Sequence, residues 1–459
     1  MKRDSDAFAL GEGEHGGTLR LRVMVNREHV PAGREGMLTV LLGLAAKEAG
    51  PEERLPLNLS FVLDRSGSMA GSKLAYTKRA VEFALQHLTA RDFASVVSFD
   101  DQVEVPVAQR PVGDKGVFAA AVNQLYPRGS TNLSGGMLAG FRNVRERLAD
   151  GQVNRVLLLT DGLANVGITD HAQLVRRVTG LRESGVSLST LGVGTDFDEE
   201  LLTALAEAGG GETYFIENPD RIPAIFAREL QGLLSVVAQN ITVRFRPAIG
   251  CCLTAVLGYT FTAGPDGIVA PIPDMYAGEE RGLLLELAVP PLAEGAHSLG
   301  EVTLEYEGAG RDGGSVSVQS LLTVTATADR RVLAEEKEHP EVRRAREIHG
   351  AARAMEEAVR LADQGRLDDA LFCLSAQFDH LATSPGVADD PELQRVREEM
   401  RSQAERLKAS GYDSASRKQM VFASREARQV RRRPGDESAA GGVRARQANA
   451  SGCKQFREG

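Results

Sequence analysis

The chain has 459 residues, 42% hydrophobic and 25% charged, a globular composition in a length too great for one core. Its formal net charge of −9 argues against a general nucleic-acid binder, and no run approaches the roughly 18 apolar residues needed to span a bilayer. Four cysteines show neither a disulfide framework nor metal-ligand spacing, and Met1 to Asp6 lead into no sustained apolar run, so a cytoplasmic location is expected.

In chain order, residues 1–16 read as a flexible start. Thr18 to Val25 and Met37 to Leu44 flank a Pro31-Ala32-Gly33 turn and read as antiparallel strands, the first part (17–50) of a β-sandwich. Two strands close no core alone, so partners are expected later. Residues 55–236 then alternate strand and helix patterns: strands at Leu57–Leu63, Ala94–Phe99, Val103–Val107, Arg155–Leu159, Val186–Val193 and Tyr214–Ile216, with helices between them and a last one from Pro219 to about Val236. That alternation predicts an α/β, doubly wound, mostly parallel sheet. Between 240 and 328 the period switches to two, as in Ile241-Thr242-Val243-Arg244-Phe245, so these strands should complete the sandwich and make the α/β domain an insertion within it.

Helical patterns follow in a segment from 335 to 410. The stretch Ala358 to Leu371 resembles half of a tetratricopeptide hairpin, but one unit is not an array, so a plain helical hairpin is expected. From 411 to 459 there are eleven Lys and Arg against five Asp and Glu, with few large apolar residues. This composition predicts a disordered basic tail, in which Arg431-Arg432-Arg433 could touch nucleic acid or an acidic protein face or simply be solvated.

The chemistry gathers at the carboxyl ends of the predicted parallel strands, the edge where open α/β sheets place ligands. Leu57 to Leu63 is an apolar run that stops at Asp64-Arg65-Ser66-Gly67-Ser68-Met69. A carboxylate and two hydroxyls on one short loop are hard oxygen donors suited to Mg²⁺. Alone, the pattern is equally served by Ser and Asp side chains capping the next helix. Two further loops change the balance. Arg128-Gly129-Ser130-Thr131-Asn132-Leu133 precedes a helix, and Leu157-Leu158-Leu159-Thr160-Asp161-Gly162 ends a buried strand with a carboxylate.

Asp-x-Ser-x-Ser, then Thr, then Thr-Asp-Gly, in this order on loops of one sheet, resembles the von Willebrand factor type A domain over residues 55–236, of the bacterial type set in a β-rich frame. The resemblance implies a metal-ion-dependent adhesion site: Ser66, Ser68 and Thr131 as hydroxyl ligands, and Asp64 and Asp161 acting directly or through water. No acidic pair follows Met69, so it does not extend to the adjacent second metal site of integrins. The function expected is a non-enzymatic, Mg²⁺-dependent interaction module that grips a protein partner through an Asp or Glu, with no membrane involved.

The alternative is a metal-dependent phosphohydrolase using Asp64 as nucleophile, which would want a second acid where Ser66 stands. Gly192-Val193-Gly194 follows a strand but lacks a third glycine at dinucleotide spacing, so it reads as a strand-end turn. Asp100 and Asp101 read as turn formers.

Overall fold

A computed structural model describes residues 17–48, 54–149, 151–161, 164–194, 197–216, 222–308 and 314–428. The chain begins with β1 (Leu19–Val25), β2 (His29–Pro31) and β3 (Gly36–Ala46). The α/β domain follows as β4 (Leu57–Asp64), α1 (Ser72–His87), β5 (Phe93–Phe99), β6 (Val103–Pro111), α2 (Lys115–Asn123), α3 (Leu133–Arg145), β7 (Val153–Thr160), α4 (His171–Arg182), β8 (Ser187–Val193), α5 (Glu199–Ala208), β9 (Gly210–Ile216) and α6 (Ile222–Leu234). Next come β10 (Val236–Pro247), β11 (Cys252–Leu257), β12 (Thr262–Gly264), β13 (Gly267–Ile272), β14 (Met275–Tyr276), β15 (Glu280–Val289), β16 (Gly295–Gly308) and β17 (Ser315–Thr327). The helices α7 (Arg330–Glu335), α8 (Pro340–Asp363), α9 (Leu367–Thr383), α10 (Pro391–Ser410) and α11 (Ser414–Arg428) complete the described chain.

The central sheet runs β6-β5-β4-β7-β8-β9, parallel except for β6, which pairs antiparallel with β5. All eight residues of β4 and all eight of β7 are buried, because helices cover both faces. Alternating side chains of β4 feed two cores: Leu57, Leu59, Phe61 and Leu63 pack with α1, α2 and α6, while Val62 packs with α3. Helix α2 was not anticipated from the sequence.

The two outer sheets form one sandwich. Sheet β1-β3-β15-β11 and sheet β12-β13-β10-β16-β17-β2 share a single core, with Leu21, Val40, Leu42 and Leu285 from one and Val243, Phe245, Val302 and Leu304 from the other. The early strands thus pair with late ones, β3 with β15, and the α/β domain is inserted between β3 and β10. Helix α8 lies on the outer face of the first sheet, where Val342 and Ala345 meet Met24, Leu41 and Leu284.

The tail corrects the sequence reading. Residues 414–428 are not disordered: α11 packs on α8, burying Met420 and Ala427, and Phe422 stacks on Phe215 of β9 with ring centroids 6.0 Å apart. Its basic residues find acidic partners on the α/β domain. Lys418 pairs with Glu199 and donates to the Phe197 carbonyl at 2.6 Å, Arg417 pairs with Glu199 and Glu200, and Arg425 and Arg428 pair with Glu207. Arg431-Arg432-Arg433 and the rest of the tail lie outside the described residues.

Candidate metal centre

Buried apolar strands bring the loops together. β4 and β7 are neighbours in register, Leu63 opposite Leu159, so Asp64 and Asp161 emerge side by side at their carboxyl ends. A short helical turn, Gly67–Met69, carries the chain from β4 toward α1 and leaves Ser68 exposed above the buried Ser66.

Four of the five expected residues form one hydrogen-bonded string. Asp64 Oδ1 accepts from the Ser66 amide at 2.8 Å and its Oδ2 accepts from the Thr160 hydroxyl at 2.5 Å. The Ser66 and Ser68 hydroxyls are 3.0 Å apart, and Ser68 Oγ donates to Asp161 Oδ1 at 2.8 Å. Thr131 joins through the backbone of its loop. The Gly67 amide donates to Gly129 O at 3.1 Å, and the Arg128 amide to Arg65 O at 2.8 Å. Thr131 itself is 3% exposed; its amide donates to Asn165 Oδ1 at 2.8 Å and its carbonyl accepts from the Asn165 and Val166 amides. Gly162, the last residue of the Thr160-Asp161-Gly162 motif, lies outside the described residues.

Gly129 has φ +65°, the left-handed region that favours glycine, where this loop closes on its neighbour. Behind it sits a charged hub. Asp100 Oδ2 pairs with Arg65 Nε at 2.8 Å and with Arg128 Nε at 2.6 Å, and Glu104 pairs with both guanidiniums. Burial alone would raise the Asp100 carboxyl; the Arg128 and Gln102 hydrogen bonds and the two guanidiniums outweigh it and hold it below its ordinary value. Hydrogen bonds from Arg65, then Arg128, bring Glu104 to about 2. Asp100 makes the expected turn, accepting from the Gln102 amide at 2.7 Å, but it is also a buried clamp tying the first two loops together.

Asp64 behaves differently. Burial pushes its carboxyl up to about 6, the repulsion of Asp161 adds to this, and the hydrogen bonds from Thr160 and Ser66 only partly offset it. A buried carboxylate beside a second carboxylate is a place where a cation is electrostatically favoured. The donor set fits Mg²⁺ in kind, being hard oxygens with neutral hydroxyls predominating. Among the described residues no three His, Cys, Asp or Glu side chains group as a metal cage, as expected of a set with two acids and three hydroxyls.

Sequence reasoning missed four participants. The Asn165 side chain orients Thr131, Arg65 and Arg128 clamp Asp100, and Lys73 Nζ lies 2.5 Å from Asp161 Oδ2. For Lys73 a signal existed: it is a basic residue in the first turn of α1, where the helix dipole favours acids.

The von Willebrand factor type A domain model matches residues 58–228. The chain carries a von Willebrand factor type A domain. Relatives include the uncharacterized protein sll0103 of Synechocystis, 28% identical over 58% of this chain and 65% of that one, and YfbK of Escherichia coli, 30% identical over 48% and 39%. A plant relative, the E3 ubiquitin-protein ligase WAV3 of Arabidopsis thaliana, is 29% identical over 76% of this chain and 44% of its own length. The matches thus span less than two thirds of each of these relatives. Among solved structures, a von Willebrand factor type A protein from Catenulispora acidiphila shares the fold over 93% of this chain and 99% of its own, with TM-score 0.68 and 18% identity. The ArnB paralog VWA2 from Sulfolobus acidocaldarius does so over 90% and 98%, with TM-score 0.60 and 16% identity. The fold shared with both takes in the flanking sheets as well as the von Willebrand factor type A domain. No helix among the described residues is long and apolar enough to cross a membrane.

Proposed function

We propose that this chain is a metal-dependent protein-interaction module. Ser66, Ser68 and Thr131 supply hydroxyls to Mg²⁺, Asp64 and Asp161 hold it directly or through water, and an Asp or Glu of a protein partner completes its shell. The observation that carries this reading is the string Asp64–Ser66–Ser68–Asp161, which links two carboxylates through the Ser66 amide and the two serine hydroxyls at the ends of two buried strands. Von Willebrand factor type A domains are typically protein-interaction modules, and the chemistry agrees. Neutral hydroxyls leave much of a dication's charge uncompensated, and Mg²⁺ keeps exchangeable water that a carboxylate can replace.

The phosphohydrolase alternative fares worse. That chemistry would want a second acid beside Asp64 for proton transfer, and Ser66 occupies the position, its amide donating to Asp64 Oδ1.

The test is calorimetric titration with Mg²⁺ of wild type and Asp161→Ala, matched by circular dichroism, beside a phosphatase screen. Binding by wild type, its loss in the variant and no turnover are expected. Equal affinities, or turnover abolished by Asp64→Asn, would contradict the proposal.

A further inference from the structure

Lys73 stands where a lysine is disfavoured. The free amides of a helix's first turn carry partial positive charge, so anions belong there, and α1 has neither an acid in that turn nor a side-chain cap. Its ammonium instead reaches the adhesion loops and lies 2.5 Å from Asp161 Oδ2, while Asp161 Oδ1 accepts from Ser68. The Asp161 side chain is fully buried, that of Lys73 about one-fifth exposed. A third element makes the room: Gly194, φ +84° just past β8, where a Cβ would sit 2.8 Å from Lys73 Cε. Gly192 and Val193, read from the sequence as part of a strand-end turn, are the last residues of β8, and Gly194 alone is the wall of a slot that fits a lysine stem.

We infer that Lys73 is a tethered ammonium that competes with the divalent cation for Asp161. The inference rests on the adhesion-site reading above. Without metal, the ammonium compensates the buried carboxylate and holds the loops in place. With metal, it either yields Asp161 or shares it, and in both cases one positive charge must be moved or tolerated beside a dication. The sum also bears on the partner. Two carboxylates and one ammonium give −1, so Mg²⁺ brings the centre to +1, which favours an incoming carboxylate. Without Lys73 the loaded centre would be neutral. The residue therefore trades metal affinity for attraction to an acidic partner.

The experiment compares the full chain, Lys73→Met and Lys73→Arg by calorimetric titration with MgCl₂ and by thermal unfolding with and without it. Lys73→Met should bind Mg²⁺ about tenfold more tightly, the order expected when one unit charge about 6 Å from a dication is removed under water-like screening. Lys73→Arg, which keeps the charge, should stay near wild type. Lys73→Met should also melt lower than wild type without metal and gain more from Mg²⁺. Should it fold poorly, Lys73→Gln serves the same comparison. Unchanged or weaker Mg²⁺ affinity in the neutral variants, with wild type binding normally, would overturn this inference alone. No Mg²⁺ uptake by wild type would overturn the adhesion-site reading and this inference with it.

Discussion

Strand β7 carries a charged cluster at each end, and the two are built to opposite purposes. Near its amino end Arg155 is completely buried, with Nη2 2.7 Å from Asp274 of the sandwich and Nη1 donating to Ser189 at 2.8 Å. Ser189 and Tyr214 in turn donate to Glu229, and Arg281 pairs with Glu279 nearby. This cluster matches protein anions with protein cations and locks the inserted domain to its frame. At the carboxyl end, Asp64 has hydrogen bonds and the repulsion of Asp161 but no guanidinium, and Ser68 opens to solvent. A closed network serves cohesion. An under-compensated one at a strand-end rim is where the proposed exchangeable ion would sit. Perturbing the first should change stability and leave the metal response alone, and removing a hydroxyl from the second should do the reverse.

The largest effect is expected at the closed end. Arg155→Met leaves Asp274 and Glu229 buried without their cation and should cost about 3–5 kcal/mol in urea unfolding, with Mg²⁺ affinity unchanged in the folded fraction. A second closed seam is titratable. Burial, with a contribution from Arg428, lowers the His349 imidazole from 6.5 to about 4. The folded chain therefore resists a proton that the unfolded chain accepts. This stability is fully present above pH 6.5 and is lost as pH falls toward 4, on the order of 3 kcal/mol. His349→Gln should flatten that slope in pH-dependent melting.

Next in size is the seam made by the tail helix. Lys418→Met removes one of the two cations, with Arg417, that pair with Glu199, which is 6% exposed, and should cost about 1–3 kcal/mol by chemical denaturation. No change would mean that Phe422 with its apolar neighbours and the remaining arginine pairs hold α11 without Lys418. The smallest stability effect belongs to the open end. Thr131→Val keeps the volume and removes one hydroxyl, so stability should move by less than about 1 kcal/mol while Mg²⁺ affinity falls in calorimetry. A stability loss larger than that of Lys418→Met would make Thr131 a cohesive residue and erase the contrast.

The same contrast marks what was legible in the chain. Fully apolar strands such as β4 and β7 announce a doubly wound sheet, and a sheet with known strand ends tells where Asp64, Ser66, Ser68, Thr131 and Asp161 must lie. The sandwich was readable because period-two runs stood on both sides of the insertion. Pairings between distant charges were not readable. Lys418 with Glu199 spans 219 residues and Arg155 with Asp274 spans 119, and neither carries a local periodicity. The tail failed for a related reason. Averaging composition over 411–459 hid a short helix whose Met420, Phe422 and Ala427 find apolar surface and whose basic residues find Glu199, Glu200 and Glu207. Lys73 was visible as a misplaced charge at a helix start, but its partner came from another loop.

The central claim is that hydroxyls from two loops hold one exchangeable dication. Anomalous diffraction from crystals grown with Mn²⁺ tests it most directly. The account predicts one strong peak bonded to the Ser66, Ser68 and Thr131 hydroxyls, absent from crystals of Thr131→Val. A peak elsewhere in the chain, or none at the strand ends of β4 and β7, would contradict it.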